Sequence, residues 1–264
     1  MFKHIIVKTE VNQYSQHFTV DLKLIKRVVG YAELTKKDIV LEIGAGTGNL
    51  TKELLKKSKN VIAYEIDTAF TKKLESLKSK NLDIKYTDFV TSRLPKFDKI
   101  VANIPYNASE PILTKLMTHN FKVAVLLVGK RFATILTTAK RGNRLSILAP
   151  AFFNVECLED VPASAFDPAP SVSSTVIRMT PITLEDLNQN KRLYVTRELW
   201  QQRTKKTKNA LREALIRYGA ATGETITKRD IRTVIVNLAL DENILGKNVG
   251  LLSGPELQKV IGKI

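Results

Sequence analysis

The chain has 264 residues, 44% of them hydrophobic and 26% charged, which fits one or two globular domains at ~100–200 residues each. Its longest unbroken apolar run, residues 123–128, is far below the ~18 residues of a membrane helix, so no membrane association is expected. With 42 Lys and Arg against 26 Asp and Glu, the net charge is +16, an excess that attracts polyanions and makes nucleic acid the first partner to consider. A solubilising lysine-rich surface is the alternative reading of the charge.

The N-terminus meets Lys3 before an apolar signal region can form, so export is not expected and the expected location is cytoplasmic. A single cysteine, Cys157, excludes an intramolecular disulfide. Three histidines, His4, His17 and His119, cannot assemble a Cys/His zinc set, and no metal is expected.

Taken in chain order, residues 39–43 form a β-branched run that ends in glycines and leads into a helical pattern with Leu50, Leu54 and Leu55. The cycle repeats with strands over 61–64, 82–86, 99–102 and 123–128 and helices near 69–77 and 110–117. Such alternation predicts an α/β domain with a mainly parallel sheet. Two further β-rich pieces, 155–158 and 175–179, flank the proline-rich turn 166–170 and fit an antiparallel pair closing a seven-stranded sheet.

Beyond Pro181 the pattern is helical, with Leu211, Ala214 and Leu215 at helical spacing. A capping box, Ser253 to Glu256, opens a last helix over Leu257, Val260 and Ile261. The expected division is a domain over 1–182 and a small all-helical domain over 183–264. Residues 191–217 carry nine basic residues against Glu198 and Glu213, a density suited to tracking phosphates or to a solvated helix face.

Gly44-Ala45-Gly46-Thr47-Gly48 follows a strand and opens a helix, where glycine lets the backbone approach a ligand that a side chain would strike. The spacing is one residue short of the dinucleotide fingerprint, which weakens a hydride-transfer reading. Glu65 ends the second strand, where a carboxylate can accept both hydroxyls of a ribose. Asp88 follows the third strand and could accept from an adenine amino group. Either acid could instead serve a solvated loop or a helix cap, but three consecutive strand ends supplying glycines, Glu and Asp is the layout of an S-adenosylmethionine (SAM)-dependent methyltransferase.

The fourth strand ends in Asn103-Ile104-Pro105-Tyr106. An exocyclic amine of adenine is a poor nucleophile because its lone pair is delocalised into the ring. The Asn103 side-chain oxygen and the carbonyl of Ile104 or Pro105 can accept its two N–H bonds, and Tyr106 can stack on the base. A proline turn capped by asparagine beside a core tyrosine is the structural alternative.

With these residues in this order, the chain resembles the rRNA adenine-N6 dimethyltransferase family, which includes bacterial KsgA, archaeal and eukaryal dimethyladenosine transferases, and the Erm resistance enzymes. The resemblance runs from about Tyr14 to Arg217. It implies a class I, Rossmann-like methyltransferase domain with a helical C-terminal domain. It also implies a cofactor site of Gln16, His17 and Phe18 over the methionine part of SAM, with Glu42, Gly44, Ala45, Gly46, Gly48, Asn49, Leu50, Glu65, Ile66, Asp88, Phe89 and Asn103. Asn103, Ile104, Pro105 and Tyr106 match the catalytic tetrapeptide, and Phe166, within 161–172, matches a phenylalanine that packs on the target base. Arg203, Lys205, Lys206, Lys208 and Arg212 fall in the basic first helix of the C-terminal domain, implying rRNA contact.

Within the family, Ile104 and Thr19 lean toward the Erm branch. The longer segments 121–126 and 200–211 resemble the archaeal and eukaryal dimethyladenosine transferases, which is the favoured branch. The expected reaction is methylation, with dimethylation the favoured outcome, of N6 of adjacent adenosines near the 3′ end of small-subunit rRNA, by a monomer acting on a ribosomal precursor. An Erm-type large-subunit enzyme and a non-catalytic rRNA-binding factor are the alternatives. Ala108, Gly129, Arg131, Ser171 and Ser173 depart from the family pattern around the substrate adenine.

Overall fold

The computed structural model describes residues 16–77, 79–138, 142–224 and 227–264. His4, Tyr14 and the N-terminal stretch read for export lie outside the described residues. In chain order the elements are β1 (Phe18–Thr19), α1 (Leu22–Tyr31), β2 (Ile39–Ile43), α2 (Asn49–Lys57), β3 (Asn60–Glu65), α3 (Thr71–Glu75), β4 (Leu82–Tyr86), β5 (Lys99–Asn103) and α4 (Ser109–Leu116). They continue with β6 (Val123–Gly129), α5 (Lys130–Thr137), α6 (Arg144–Leu148), β7 (Phe153–Val161), β8 (Phe166–Asp167) and β9 (Ser174–Pro181). Six helices complete the described chain: α7 (Leu184–Asn188), α8 (Lys191–Gln201), α9 (Thr207–Thr222), α10 (Lys228–Asn237), α11 (Glu242–Gly246) and α12 (Gly254–Gly262).

All seven expected strands form one sheet in the order β4-β3-β2-β5-β6-β9-β7. β2 runs parallel to β3 and β5, and β3 runs parallel to β4. The chain moves outward from β2 through β3 to β4, then returns to place β5 on the other side of β2. That reversal makes the carboxyl ends of β2 and β5 a switch point, where a parallel sheet opens a crevice. β6 is buried at every position, as its Val and Leu run requires of a strand covered on both faces. The 155–158 and 175–179 pieces become β7 and β9, neighbours at one end of the sheet order.

Local chemistry sets the helix boundaries. Asp21 caps α1 by accepting the N–H groups of Lys23 and Leu24, and α1 then buries Leu24, Ile25, Val28 and Val29. The expected capping box of α12 forms as Ser253 and Glu256, and Lys247 together with the Ser253 N–H and hydroxyl holds the Glu256 carboxyl down to about 2.

A second sheet of two strands was not legible in the sequence. β1 pairs antiparallel with β8, matching Phe18 with Asp167 and Thr19 with Phe166. The segment read as a proline-rich turn thus starts as a strand that ties down residues 18–19.

The chain divides into two compact units. The first contains residues 1–113, 125–130 and 159–176; the second contains 114–124, 131–158 and 177–264. Segment 183–264 lies wholly in the second unit, whose interior includes Val195, Leu199, Ala210, Leu211, Ala214 and Leu215. Burying each valine or leucine of that set contributes about 1.5–3 kcal/mol.

Candidate active site

A cavity of about 390 Å³ opens in the first unit at the carboxyl ends of β2, β3, β4 and β5. Its size is that of a small-molecule site. Gln16, His17, Phe18, Gly44, Gly46, Glu65, Ile66, Asp88, Phe89 and the tetrapeptide Asn103 to Tyr106 all line it. Residues separated by up to 90 positions in the chain are therefore brought to one wall by the strand order.

The loop after β2 is built on positive φ angles, +77° at Gly44, +49° at Gly46 and +76° at Gly48. At Gly46 an added Cβ would lie 2.6 Å from the Phe18 ring, so glycine is what allows that ring to rest on the loop. Phe18 is also tilted against Phe70 at 5.0 Å.

Glu65 is only 3% exposed. One carboxyl oxygen accepts the Gly46 N–H at 2.7 Å and the other the Asp67 N–H at 2.8 Å. Burial raises its pKa, outweighing those two backbone donors. Each oxygen keeps lone-pair capacity for a further donor from the cavity. Asp88 accepts the Val90 N–H at 2.8 Å through one oxygen, so it serves its own turn as well as facing the cavity.

Asn103 ends β5, and its side-chain amide nitrogen donates to the backbone carbonyl of His17 at 2.8 Å. This bond fixes which end of the amide is which and leaves the oxygen as the free acceptor. The two carbonyl candidates beside it also separate. The Pro105 carbonyl already accepts from the Ala108 N–H at 3.0 Å and the Ser109 hydroxyl at 3.2 Å. The Ile104 carbonyl is the one left to serve a ligand, while the Ile104 N–H donates to Leu127 and its side chain is buried.

His17 Nδ1 lies 2.8 Å from the Pro168 carbonyl. A carbonyl only accepts, so Nδ1 carries the hydrogen. The His17 ring stands 5.6 Å from the Tyr106 ring, tilted by 34°.

Several expected residues are not among those lining the cavity. Glu42 is fully buried, and among the described residues neither of its carboxyl oxygens, nor the hydroxyl of Thr51, has a hydrogen-bond partner. Burial pushes Glu42 up to about 8, with nearby Thr51 pulling it partly back and the Glu65 charge adding to the rise. A neutral carboxyl beneath the glycine loop is the state this environment favours at pH 7. Ala45 donates to the Tyr64 carbonyl at 3.0 Å, Gly48 precedes α2, and Asn49 donates to the Thr19 carbonyl at 3.1 Å. Leu50 borders a separate small gap beside Asn103. Phe166 is 4% exposed in β8 and is not among the cavity-lining residues.

The sequence reading missed Tyr64, Thr87, Pro111 and Ile112 on the cavity wall. Thr87 and Tyr64 each directly precede an expected acid, a signal that could have found them. Pro111 and Ile112 reach the wall because a single turn over Tyr106–Ala108 leads straight into α4.

In the second unit, the basic stretch 191–217 is two helices, α8 and α9, not one. Both of its acids are engaged: Glu213 with Lys205 at 2.6 Å and Glu198 with Arg217 at 2.8 Å. The guanidinium groups of Arg203 and Arg144 lie over the Trp200 ring, at 5.8 and 5.6 Å, and that of Arg197 over Phe152 at 5.6 Å. Lys206 and Lys208 are exposed and Arg212 is half-buried.

Among the described residues, no helix is long and apolar enough to cross a membrane, and no group of three or more His, Cys, Asp or Glu could hold a metal ion.

The chain is 36% identical over 258 residues to the "Probable ribosomal RNA small subunit methyltransferase A" of Methanosarcina barkeri, covering 95% of this chain and 86% of that one. Among solved structures it resembles a dimethyladenosine transferase from Plasmodium falciparum, with 27% identity, a TM-score of 0.59, and coverage of 90% of this chain and 94% of that one. The 23S rRNA methyltransferase ErmE shares the fold at a TM-score of 0.61 and 23% identity, covering 93% of this chain and 98% of that one. The family model for ribosomal RNA adenine dimethylases matches residues 7–242, and with the strand-end acids and the Asn103 to Tyr106 tetrapeptide gathered on one cavity, the chain belongs to that family.

Proposed function

We propose that the chain transfers methyl groups from SAM to N6 of adenines in rRNA, with two adjacent adenosines near the 3′ end of the small-subunit rRNA as its target. The observation that carries this reading is the orientation of Asn103. Its amide nitrogen is committed to the His17 carbonyl, which leaves its oxygen and the Ile104 carbonyl as two acceptors on one wall. Two acceptors suit an amine with two N–H bonds. By drawing those hydrogens they localise the nitrogen lone pair, and because they are already fixed they need no reorganisation during reaction. Tyr106 offers an aromatic face for the base beside them. A base that is to enter must be unstacked or flipped, which suits a loop or single strand.

The cavity residues fit SAM. The Glu65 carboxyl can accept ribose hydroxyls, Asp88 an adenine amino group, and Gly44 and Gly46 line the cavity, with the Phe18 ring resting where a Gly46 side chain would stand. Gln16, His17 and Phe18 cover the end toward Asn103. When bound, SAM supplies an electrophilic methyl group.

The rRNA partner is a small-subunit precursor met in the cytoplasm, and the enzyme acts as a monomer. The small-subunit choice is supported by the name of the Methanosarcina relative. Segment 183–264 forms the rRNA-binding part, with Lys206, Lys208 and Arg212 making the phosphate contacts and Arg203 and Lys205 placed beside them. The test is incubation of the purified protein with radiolabelled SAM and, separately, unmodified small subunits, large-subunit rRNA and DNA. Label on N6 of adenines near the small-subunit 3′ end is expected. Label on large-subunit rRNA alone would move the enzyme to the Erm branch, and no label with cofactor bound would point to a binding factor.

A further inference from the structure

We infer that Ser174 is a positioning residue that acts through Tyr106, an inference that rests on the proposed role of Tyr106 as the platform for the target base. Ser174 opens β9 and is fully buried. Its hydroxyl is 2.5 Å from the Tyr106 hydroxyl, the one side-chain hydrogen bond described for that tyrosine. Three contacts then define where the ring can be. Its hydroxyl is held by Ser174 at one end. Gly129 lies beside the ring, where an added Cβ would reach ordinary contact with it at 3.6 Å. Its other neighbour is the His17 ring at 5.6 Å.

Gly129 ends β6 and Ser174 begins β9, and these two strands are neighbours in the sheet. The partner hydroxyl is therefore carried by a strand of the hydrogen-bonded sheet, while Tyr106 itself sits on a single turn after Pro105. A ring on a short turn has rotational freedom that would blur the plane on which a base stacks. Pinning its far end to the sheet removes that freedom before the base arrives. Burial raises the Tyr106 pKa, so its hydroxyl remains neutral and able to share a hydrogen bond with Ser174. Misplacement of a reacting group through loss of such support reduces the rate of the bound complex more than it reduces binding.

The experiment is a double-mutant cycle on the full chain: wild type, Ser174→Ala, Tyr106→Phe and the two combined. Each is assayed for kcat and KM on unmodified small subunits, for SAM affinity by calorimetry, and for melting temperature. Each single change is expected to lower kcat by about tenfold. The combined variant is expected to be no slower than either, with SAM affinity and melting temperature close to wild type. Losses that multiply in the double variant overturn the inference, as does a wild-type kcat in Ser174→Ala. A Tyr106→Phe loss well beyond that of Ser174→Ala also overturns it, because the hydroxyl would then act on RNA directly. Asn103→Ala and Tyr106→Ala run alongside. If both retain wild-type methyl transfer, the assignment of this wall to the target base fails and the role of Ser174 falls with it. If both lose transfer while Ser174→Ala does not, the positioning role alone is removed.

Discussion

The cavity wall and the basic stretch 191–217 hold their polar groups in opposite ways. On the wall, Glu65 and Asn103 are each fixed by backbone groups, the N–H of Gly46 and Asp67 for one and the carbonyl of His17 for the other. In 191–217, charged side chains are held by each other or by aromatic faces, as with Lys205 and Glu213, or Arg203 and Trp200. Backbone partners cannot swing away, so they define a position to within a fraction of an ångström. Exposed ion pairs contribute about 0–1 kcal/mol and exchange with solvent. On the proposed function, the difference teaches where substitutions should matter: sharply at single residues of the cavity, and weakly across the many charges of 191–217.

The largest expected effect follows from Asn103. Asn103→Ala removes an acceptor that nothing nearby replaces, and methyl transfer should fall by about 100- to 1000-fold, with SAM still bound in calorimetry. Near-normal turnover would break the contrast at its strongest point. Glu65→Ala comes next, and SAM affinity should weaken by roughly 10- to 100-fold, since the loss includes charge-assisted hydrogen bonds and the partner of the Gly46 N–H. Unaltered affinity in a titration would show that Glu65 only supports the loop.

Glu42 sharpens the comparison through pH. Its carboxyl is raised to about 8 in the folded protein from an ordinary 4.5. Its contribution to stability is full below pH 4.5, where folded and unfolded chains both hold the proton, and is lost as pH rises toward 8, because the unfolded chain ionises first. Glu42→Gln should therefore flatten the fall in stability between pH 5 and 8, read as the urea midpoint of the variant against the wild type. Parallel curves for the two proteins would mean Glu42 is ionised in the folded state.

The smallest effects belong to the basic stretch. Lys206→Ala, Lys208→Ala and Arg212→Ala should each weaken rRNA binding by about two- to fivefold, and each should lower the slope of log affinity against log salt by about 0.7–0.9. Glu213→Ala, which frees Lys205, should tighten binding by about twofold. A hundredfold loss from any one lysine would mean that this surface, too, relies on a fixed contact.

Much of the cavity was legible because its residues sit at strand ends. The hydrophobic runs announce β2 to β6, a parallel sheet puts their carboxyl ends on one edge, and Gly44, Glu65, Asp88 and Asn103 follow directly from that geometry. What was not legible depends on contacts across long separations. β1 and β8 are two residues each, too short for any periodicity, and exist only because they pair. The sheet pairing brings Thr19 opposite Phe166, and Phe166 lies buried in its strand, at the position where the resemblance implied a phenylalanine that packs on the target base. Glu42 had the position of a ligand contact, yet it is fully buried and is not among the residues lining the cavity.

By itself the amino-acid sequence determined the seven strands of the main sheet, the glycine turn, the acids at successive strand ends and the tetrapeptide, because periodicity and backbone-specific residues act over a few positions. Only the tertiary structure decided that Asn103 presents its oxygen, that Ile104 rather than Pro105 keeps a free carbonyl, that burial raises the Glu42 carboxyl, and that Ser174 reaches the Tyr106 hydroxyl. Asn103 and Tyr106 depend on partners dozens of residues away in the chain, His17 and Ser174, while the Pro105 carbonyl is taken by Ala108 and Ser109 only once the turn after it has closed.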